Sequence, residues 1–412
     1  MKKFKLISGI SITLLLFVIT TFNNYANPAK DYYERGVTDG ESGNYYQAID
    51  ELDTAIQIAP DYADAYAMRG LAKYYLGAYQ DAIEDFNSTL KYKPDMYESY
   101  TKLALAKMNI GEFKEAMADC NTALDKRHNY SYGYYLRAMI KDNMKDSLGA
   151  INDFNECLKI SPNFVDAIFN RGIVKYKMKD YPNAIADFDT AISKKEDFAE
   201  AHYYKGVTQK ILLNTVDALA ELDEAIRLKP DFLDAYMERS DIKQKRQDYE
   251  GAMDDITKCL TLNPEYAIAY YMKGLTEYEQ EDYKNAFADF TKAIELKKDI
   301  PAAFFNRGVI KRMFEDNKGA IADLNEATKL KPSYPDAYSE RAQAKDKLKD
   351  YKGAEEDYNT AIKMNPNNAE YHYRLGHLRY ETGDKEGACI EWNLAKELGF
   401  KDPFDMIETN CK

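Results

Sequence analysis

Small and large apolar positions return along this chain with a fixed period of 34 residues. Counting positions from the start of each repeat, the repeats begin at Ala29, Ala63, Tyr97, Ser131, Val165, Ala199, Leu233, Ala267, Pro301, Pro335 and Ala369. Eleven of them fill residues 29–402 without an insertion. Position 8 is always small, from Gly36 and Gly70 through Ala104 and Ser240 to Gly376, and position 20 is always alanine, from Ala48 to Ala388. Position 27 is also small, with Thr89, Cys157 and Cys259 varying on alanine, whereas position 24 carries bulk such as Phe86, Phe154, Phe188 and Phe290. This pattern predicts two helices per repeat, drawn together by the small residues and wedged by the large one.

Punctuation supports the same division. Gly43-Asn44, Gly77, Gly111 and Gly383-Asp384 mark the turn inside a repeat, and Asp180, Asp248, Asp282 and Asp350 stand where they would cap the second helix. Pro60, Pro94, Pro162, Pro230, Pro264, Pro332 and Pro366 follow the second helix and stop it. Three repeats carry His128, Glu196 or Lys298 instead, and Leu213-Asn214-Thr215 replaces the usual turn in the sixth, which predicts a looser stretch over 211–217. After the last repeat, Asp402-Pro403 reads as a helix start, so 403–412 is expected to form a short capping helix.

These positions together resemble the tetratricopeptide repeat family over about nine tenths of the chain, and with the N-terminal segment described below an exported, bacterial-type member of it. The resemblance implies an all-α fold: a right-handed α-solenoid of eleven 34-residue helix-turn-helix repeats with a C-terminal capping helix. It also implies that positions 2, 5, 9, 12 and 13 of the first helices line a concave groove. Mapped onto this sequence, the groove residues are Tyr74, Tyr75, Tyr135, Phe169, Tyr176, Tyr203, Tyr271, Tyr278, Phe305 and Arg312, with Tyr33, Tyr373 and Tyr380 at equivalent places. Such side chains are expected not to pack within their own repeat, and aromatic rings free of that duty are good anchors for a partner. A clamp for a terminal carboxylate, which in this family uses lysine at position 5 and asparagine at position 9, is not expected. Position 5 is mostly aromatic here and position 9 mostly aliphatic, as in Leu71, Ile173 and Val309.

Composition changes the picture at three points. Lys2, Lys3 and Lys5 precede the apolar or small run Leu6–Phe22, and Asn24-Tyr25-Ala26 offers a cleavage point, so 1–26 reads as a signal peptide or an uncleaved membrane anchor, with 27–28 as linker. Export to a periplasmic or extracellular location, or anchoring through 6–22, follows from that reading. Second, the net charge of −13 becomes −16 once the three lysines of that segment are set aside, and no basic stripe interrupts it, which disfavours nucleic acid as a partner. Third, Cys389 and Cys411 fall on neighbouring helices at the C-terminal end and are candidates for a disulfide, while Cys120, Cys157 and Cys259 fall on core positions.

Candidate chemistry is sparse. His372 and His377 lie five residues apart, on different faces of one helix, and His128 and His202 stand alone, so no metal site and no cofactor are expected. No phosphate-binding glycine loop or nucleophile elbow occurs. Asp or Glu at position 23 recurs in all eleven repeats, from Glu51 to Glu391, which marks a structural task, and Arg69, Arg137, Arg171, Arg239, Arg307 and Arg341 at position 7 are its partners in a ladder of ion pairs. Each pair would contribute little if exposed. The sequence therefore predicts a non-catalytic scaffold of the cell envelope that binds protein partners, with glycan binding through the tyrosines as the alternative.

Overall fold

The computed structural model describes residues 27–401 and 404–411, with side chains omitted at 404–406; residues 1–26, read above as a signal peptide or anchor, and the expected cap residues Asp402 and Pro403 lie outside the described residues. Among these residues there are twenty-three helices. First helices begin at Ala63, Tyr97, Ser131, Val165, Ala199, Leu233, Ala267, Pro301, Pro335 and Ala369, as the period predicts, and the earliest at Pro28, one residue before Ala29. A second helix of 13 or 14 residues follows each, such as Tyr79–Tyr92 and Tyr181–Lys194, and Phe404–Asn410 closes the chain. The all-α array of helix-turn-helix pairs is therefore observed. Among the described residues, those up to Thr208 form one compact body and those from Gln209 onward a second.

The turn within each repeat is made the same way throughout. Position 15 takes the left-handed conformation in every repeat: glycine at Gly43, Gly77, Gly111 and Gly383, but Lys145, Lys179, Leu213, Gln247, Glu281, Glu315 and Lys349 in between. The amide of position 16 then donates to the carbonyl of position 11, as from Asn44 to Asp39 and from Asp248 to Lys243, both at 2.9 Å. Residues 211–217 are not looser than their counterparts, because Leu213 adopts φ 62° and Asn214 N donates to Gln209 O at 2.9 Å. The backbone path, not the glycine, defines this turn.

Asp146, Asp248, Asp282, Asp316, Asp350 and Asp384 each accept a hydrogen bond from the backbone amide three residues on. Asp180 does not; its carboxylate is taken by the Asn183 side-chain amide at 2.9 Å, so it caps through a neighbouring side chain instead. The residue after the second helix is extended before proline, as at Lys93, with ψ 76°. It is equally extended at Arg127, Lys195 and Lys297, where no proline follows, so packing of the next repeat ends the helix there.

Close approach of the paired helices depends on position 8. A Cβ on Gly172 would sit 2.7 Å from the Phe188 ring, and one on Gly376 would sit 2.5 Å from the Trp392 indole. Position-24 side chains Phe86, Phe154, Phe188, Phe290 and Trp392 are consequently among the largest fully buried groups. Core clusters bridge adjacent repeats, as where Ala138, Phe154 and Cys157 meet Ala167 and Val174.

The ion-pair ladder is not a surface feature. Asp187 is 4% exposed, and Arg171 donates to it through Nε and Nη2 at 2.9 and 2.6 Å while Lys175 adds 2.6 Å. The remaining arm of Arg171 reaches back to Asn155 of the preceding repeat at 2.7 Å. Arg69 bridges to Asp53, Arg137 to Asn121, Arg239 to Asp223, Arg307 to Thr291 and Arg341 to Asn325 in the same manner. The low value assigned to exposed pairs does not apply here: the acid is buried, and its loss of hydration is offset by a bidentate guanidinium and an ammonium.

Candidate functional site

The aromatic residues assigned to the groove fall into two groups once their neighbours are known. Position-5 rings pack inside their own repeat, contrary to the expectation for them. Tyr135 lies against Phe154 and Phe164 with ring centroids 6.0 and 4.9 Å away, and Phe169 against Phe188 and Phe198 at 5.9 and 4.7 Å. Tyr271 meets Phe290 at 5.9 Å, Phe305 meets Tyr334 at 4.9 Å, and Tyr33 meets Tyr62 at 5.0 Å. The reason is geometric: position 34 folds back over the first helix, and a large residue at position 5 fills the space between it and position 24. Tyr203, at the same position, makes an edge contact with Tyr204 at 5.1 Å.

Position-12 rings form the second group. Tyr74, Tyr176 and Tyr278 pack on the position-17 tyrosines Tyr79, Tyr181 and Tyr283 at 5.3, 6.0 and 5.2 Å. The Tyr74 hydroxyl stays at the surface, where it accepts from Asn109 Nδ2 at 3.0 Å. Tyr75, at position 13, is the most exposed of the assigned tyrosines at 58% and stacks on Tyr45 at 5.1 Å. Arg312 is half-buried and not a free charge, since its Nε donates to Glu340 at 2.6 Å. Together with Asp346, Tyr373, Arg374, His377 and Glu381 it lines a polar cleft of about 220 Å³ in the second body.

Two residues that the sequence reading passed over join the first group of repeats. Tyr132 has its phenol pushed up to about 12, by burial first and then by the hydroxyls of Tyr130, Tyr135, Tyr74 and Tyr75. Lys102, at position 6 of repeat 3, is half-buried, and burial pushes its ammonium below the usual lysine range. Glu98 and Asp64 counter that shift, yet no ion pair of Lys102 is found among the described residues. Only position-6 burial, invisible in the one-dimensional pattern, could have pointed to it.

At the C-terminal end, Cys389 and Cys411 are bonded, with Cα atoms 5.6 Å apart, and Tyr380 Oη donates to Asn410 Oδ1 at 2.8 Å. Trp392 lies between the helices of the last repeat beneath Gly376, 5.5 Å from the Tyr380 ring. His372 is buried and committed on both nitrogens, to Glu391 Oε2 at 2.6 Å and to the Pro366 carbonyl at 3.0 Å. Among the described residues no three His, Cys, Asp or Glu side chains gather as metal ligands, and no helix is long and apolar enough to cross a membrane.

Family models described as tetratricopeptide repeat match residues 67–131, 131–164, 233–266 and 267–300, and one described as TPR repeat matches 347–383. No curated protein matches the chain. Among solved structures, a chain of the APC/C hetero-tetramer Cut9-Hcn1 is similar over 95% of this chain and 98% of that one, at 11% identity and a TM-score of 0.53. Yeast Tom70 is similar over 93% of this chain and 95% of that one, at 15% identity and a TM-score of 0.42. A tetratricopeptide repeat protein from Parabacteroides merdae covers 60% of this chain with 99% of its own length, at 17% identity and a TM-score of 0.46. At such identities the structural likeness speaks only for the fold, and it is the first of the three that carries it. The repeat models, the unbroken 34-residue register and the helix pairs that follow it agree that this chain is a tetratricopeptide repeat protein.

Proposed function

We propose that this chain is a non-catalytic scaffold that binds a segment of a partner protein on the first-helix face of its repeats, and that residues 1–26 deliver it to the cell envelope. Tetratricopeptide repeats typically act without catalysis and suggest protein–protein interaction. The observation that carries the reading is that the first helices of repeats 2 to 4 carry the packed rings of Tyr74, Tyr75 and Tyr132 and, between them in sequence, the half-buried Lys102, which has no ion pair among the described residues. Rings held by packing lose little freedom on binding, and a half-desolvated ammonium gains most from an incoming carboxylate. The partner segment therefore carries an acidic residue. Glycan stacking is not favoured, because Tyr45 and Tyr75 already turn ring faces to each other.

A photo-crosslinking amino acid at Asn109, beside Tyr74, should give a discrete partner adduct in the native host. The same group at Tyr46, on an exposed second-helix position, should not. Lys102→Glu should reduce the Asn109 adduct about tenfold or more while leaving the circular dichroism unchanged. Equal adducts at both positions, or indifference to Lys102→Glu, would remove the basis of the reading.

A further inference from the structure

Position 12 of the first helix carries a charge in four repeats, as Asp142, Lys210, Arg312 and Asp346. The first helix of the next repeat answers three of these charges. Asp142 holds the Lys177 ammonium at 2.6 Å, Lys210 meets Glu238 and Asp241 at 2.5 Å each, and Arg312 meets Glu340 at 2.6 Å. Asp346 is the exception. Lys177 stands at position 13 of its repeat, and the residue at position 13 after Asp346 is Glu381. Where repeats 4 and 5 set a lysine against an aspartate, repeats 10 and 11 set one carboxylate against another.

Both acids line the polar cleft of about 220 Å³, Asp346 from the helix Pro335–Lys347 and Glu381 from Ala369–Glu381. Asp346 Oδ1 is buried and has no hydrogen-bond partner among the described residues. Burial first, then the Glu381 carboxylate, raises the Asp346 carboxyl above its ordinary value of 3.8, against a pull from Lys347. The cations of the cleft do not answer it. Arg312 is taken by Glu340. Arg374 stands at position 6, as Glu340 does, but donates to Glu370 at 2.8 and 2.5 Å and to Gln343 Oε1 at 2.7 Å. Lys347 is exposed and directly follows Asp346, and adjacent side chains on a helix do not face each other. His377 lays its ring against Tyr373 and Trp392, with centroids 4.6 and 5.5 Å away. A buried carboxylate facing a like charge costs stability in the free chain, and a cation arriving between the two recovers it.

We propose that the cleft between Asp346 and Glu381 is a binding site for an ammonium group, a lysine side chain of the partner protein, seated against Asp346 as Lys177 is seated against Asp142. The proposal rests on the scaffold reading and gives the partner a basic residue in addition to the acidic one. The Tyr373 ring on the cleft wall receives the lysine stem. A carboxylate is refused, because it would face both acids.

Saturation-transfer NMR on N-acetyl-lysine amide with the full chain tests the site. Transfer to the side-chain methylenes should fall about tenfold or more in Asp346→Asn and in Glu381→Lys, which supplies the ammonium from within. Glu381→Gln replaces the latter should it fail to fold. Glu397→Lys, the same charge change on an exposed residue outside the cleft lining, should leave the transfer intact. Absence of transfer in the unmodified chain would overturn the site, as would equal transfer to N-acetyl-norleucine amide or stronger transfer to N-acetyl-glutamate amide. A tenfold gain in Arg374→Gln would overturn it too, since Arg374 would then be the occupant. A photo-crosslinking amino acid at Lys347 should give a protein adduct in the native host that Glu381→Lys abolishes. Transfer without such an adduct would overturn the assignment to a partner lysine. The Asn109 adduct, formed in the first body, reports separately on the scaffold reading, so the two can fail independently.

Discussion

At the scale of single residues, the turn at position 15 shows the backbone overruling local preference. Leu213 is 85% exposed and contributes almost no burial, yet it holds a left-handed φ of 62°. For a residue with a Cβ this conformation costs roughly 1–2 kcal/mol, part of which glycine returns through its freer unfolded chain. Leu213→Gly should therefore raise stability by about 0.5–1 kcal/mol, read as a higher urea midpoint at unchanged slope. A lowered midpoint would mean that the leucine side chain is engaged. Glycine at position 15 in the outer repeats made the turn legible in the sequence, whereas Leu213-Asn214-Thr215 in the sixth suggested a departure that the backbone does not make. Periodicity alone also misjudged Tyr135 and Phe169, because a half-exposed ring at helical spacing looks the same whether its inner face is packed or free.

Between elements, the arginine held by the buried acid at position 23 couples repeats 2, 4, 5, 7, 9 and 10 to the one before. Repeat 8 departs from the rule. Lys273 replaces the arginine, Glu277 replaces the usual lysine at position 11, and both reach toward Asp289, Lys273 at 2.7 Å. Glu277 is 8% exposed, and one of its carboxylate oxygens has no hydrogen-bond partner among the described residues. Burial, followed by the neighbouring Asp289, raises its pKa above the ordinary value of 4.5. The folded chain thus holds this proton to higher pH than the unfolded chain does. Stability from this group is complete below pH 4.5 and is lost as pH rises toward the folded value. Glu277→Gln should match the wild type in urea denaturation below pH 4.5 and become progressively more stable than it as pH rises toward neutrality. A constant difference across that range would show that Glu277 is ionised in the fold. The acid at position 23 was legible as structural from its recurrence. Its burial and its reach to the preceding repeat were not, since both need the distance between helices 16 residues apart in sequence.

Across the whole molecule, stability is expected to be a sum of neighbour contacts, so the ends matter most. The bond between Cys389 and Cys411 closes a 22-residue separation and ties Phe404–Asn410 to the last repeat. Chain entropy assigns such a closure roughly 3 kcal/mol. Reductant should accelerate amide exchange in Phe404–Asn410 and leave Tyr97–Asn109 unaffected. Cys120, Cys157 and Cys259 are buried, and burial pushes each thiol up to about 12. A thiol count on the reduced native chain should therefore find two reactive groups, rising to five in denaturant; three or more at the start would place one of the core cysteines at the surface.

The order of small, large and turn residues determined the repeat and the helix boundaries, because both are set by contacts within about 34 residues of chain. Tertiary structure decided what each side chain does with its two faces. It turned the position-5 aromatics into internal wedges, buried the ion pairs and left Lys102 half-buried. In the sequence Gly40 and Gly36 are two glycines one turn apart; only the distance from each to the neighbouring helix separates the one that close packing requires from the one that it does not.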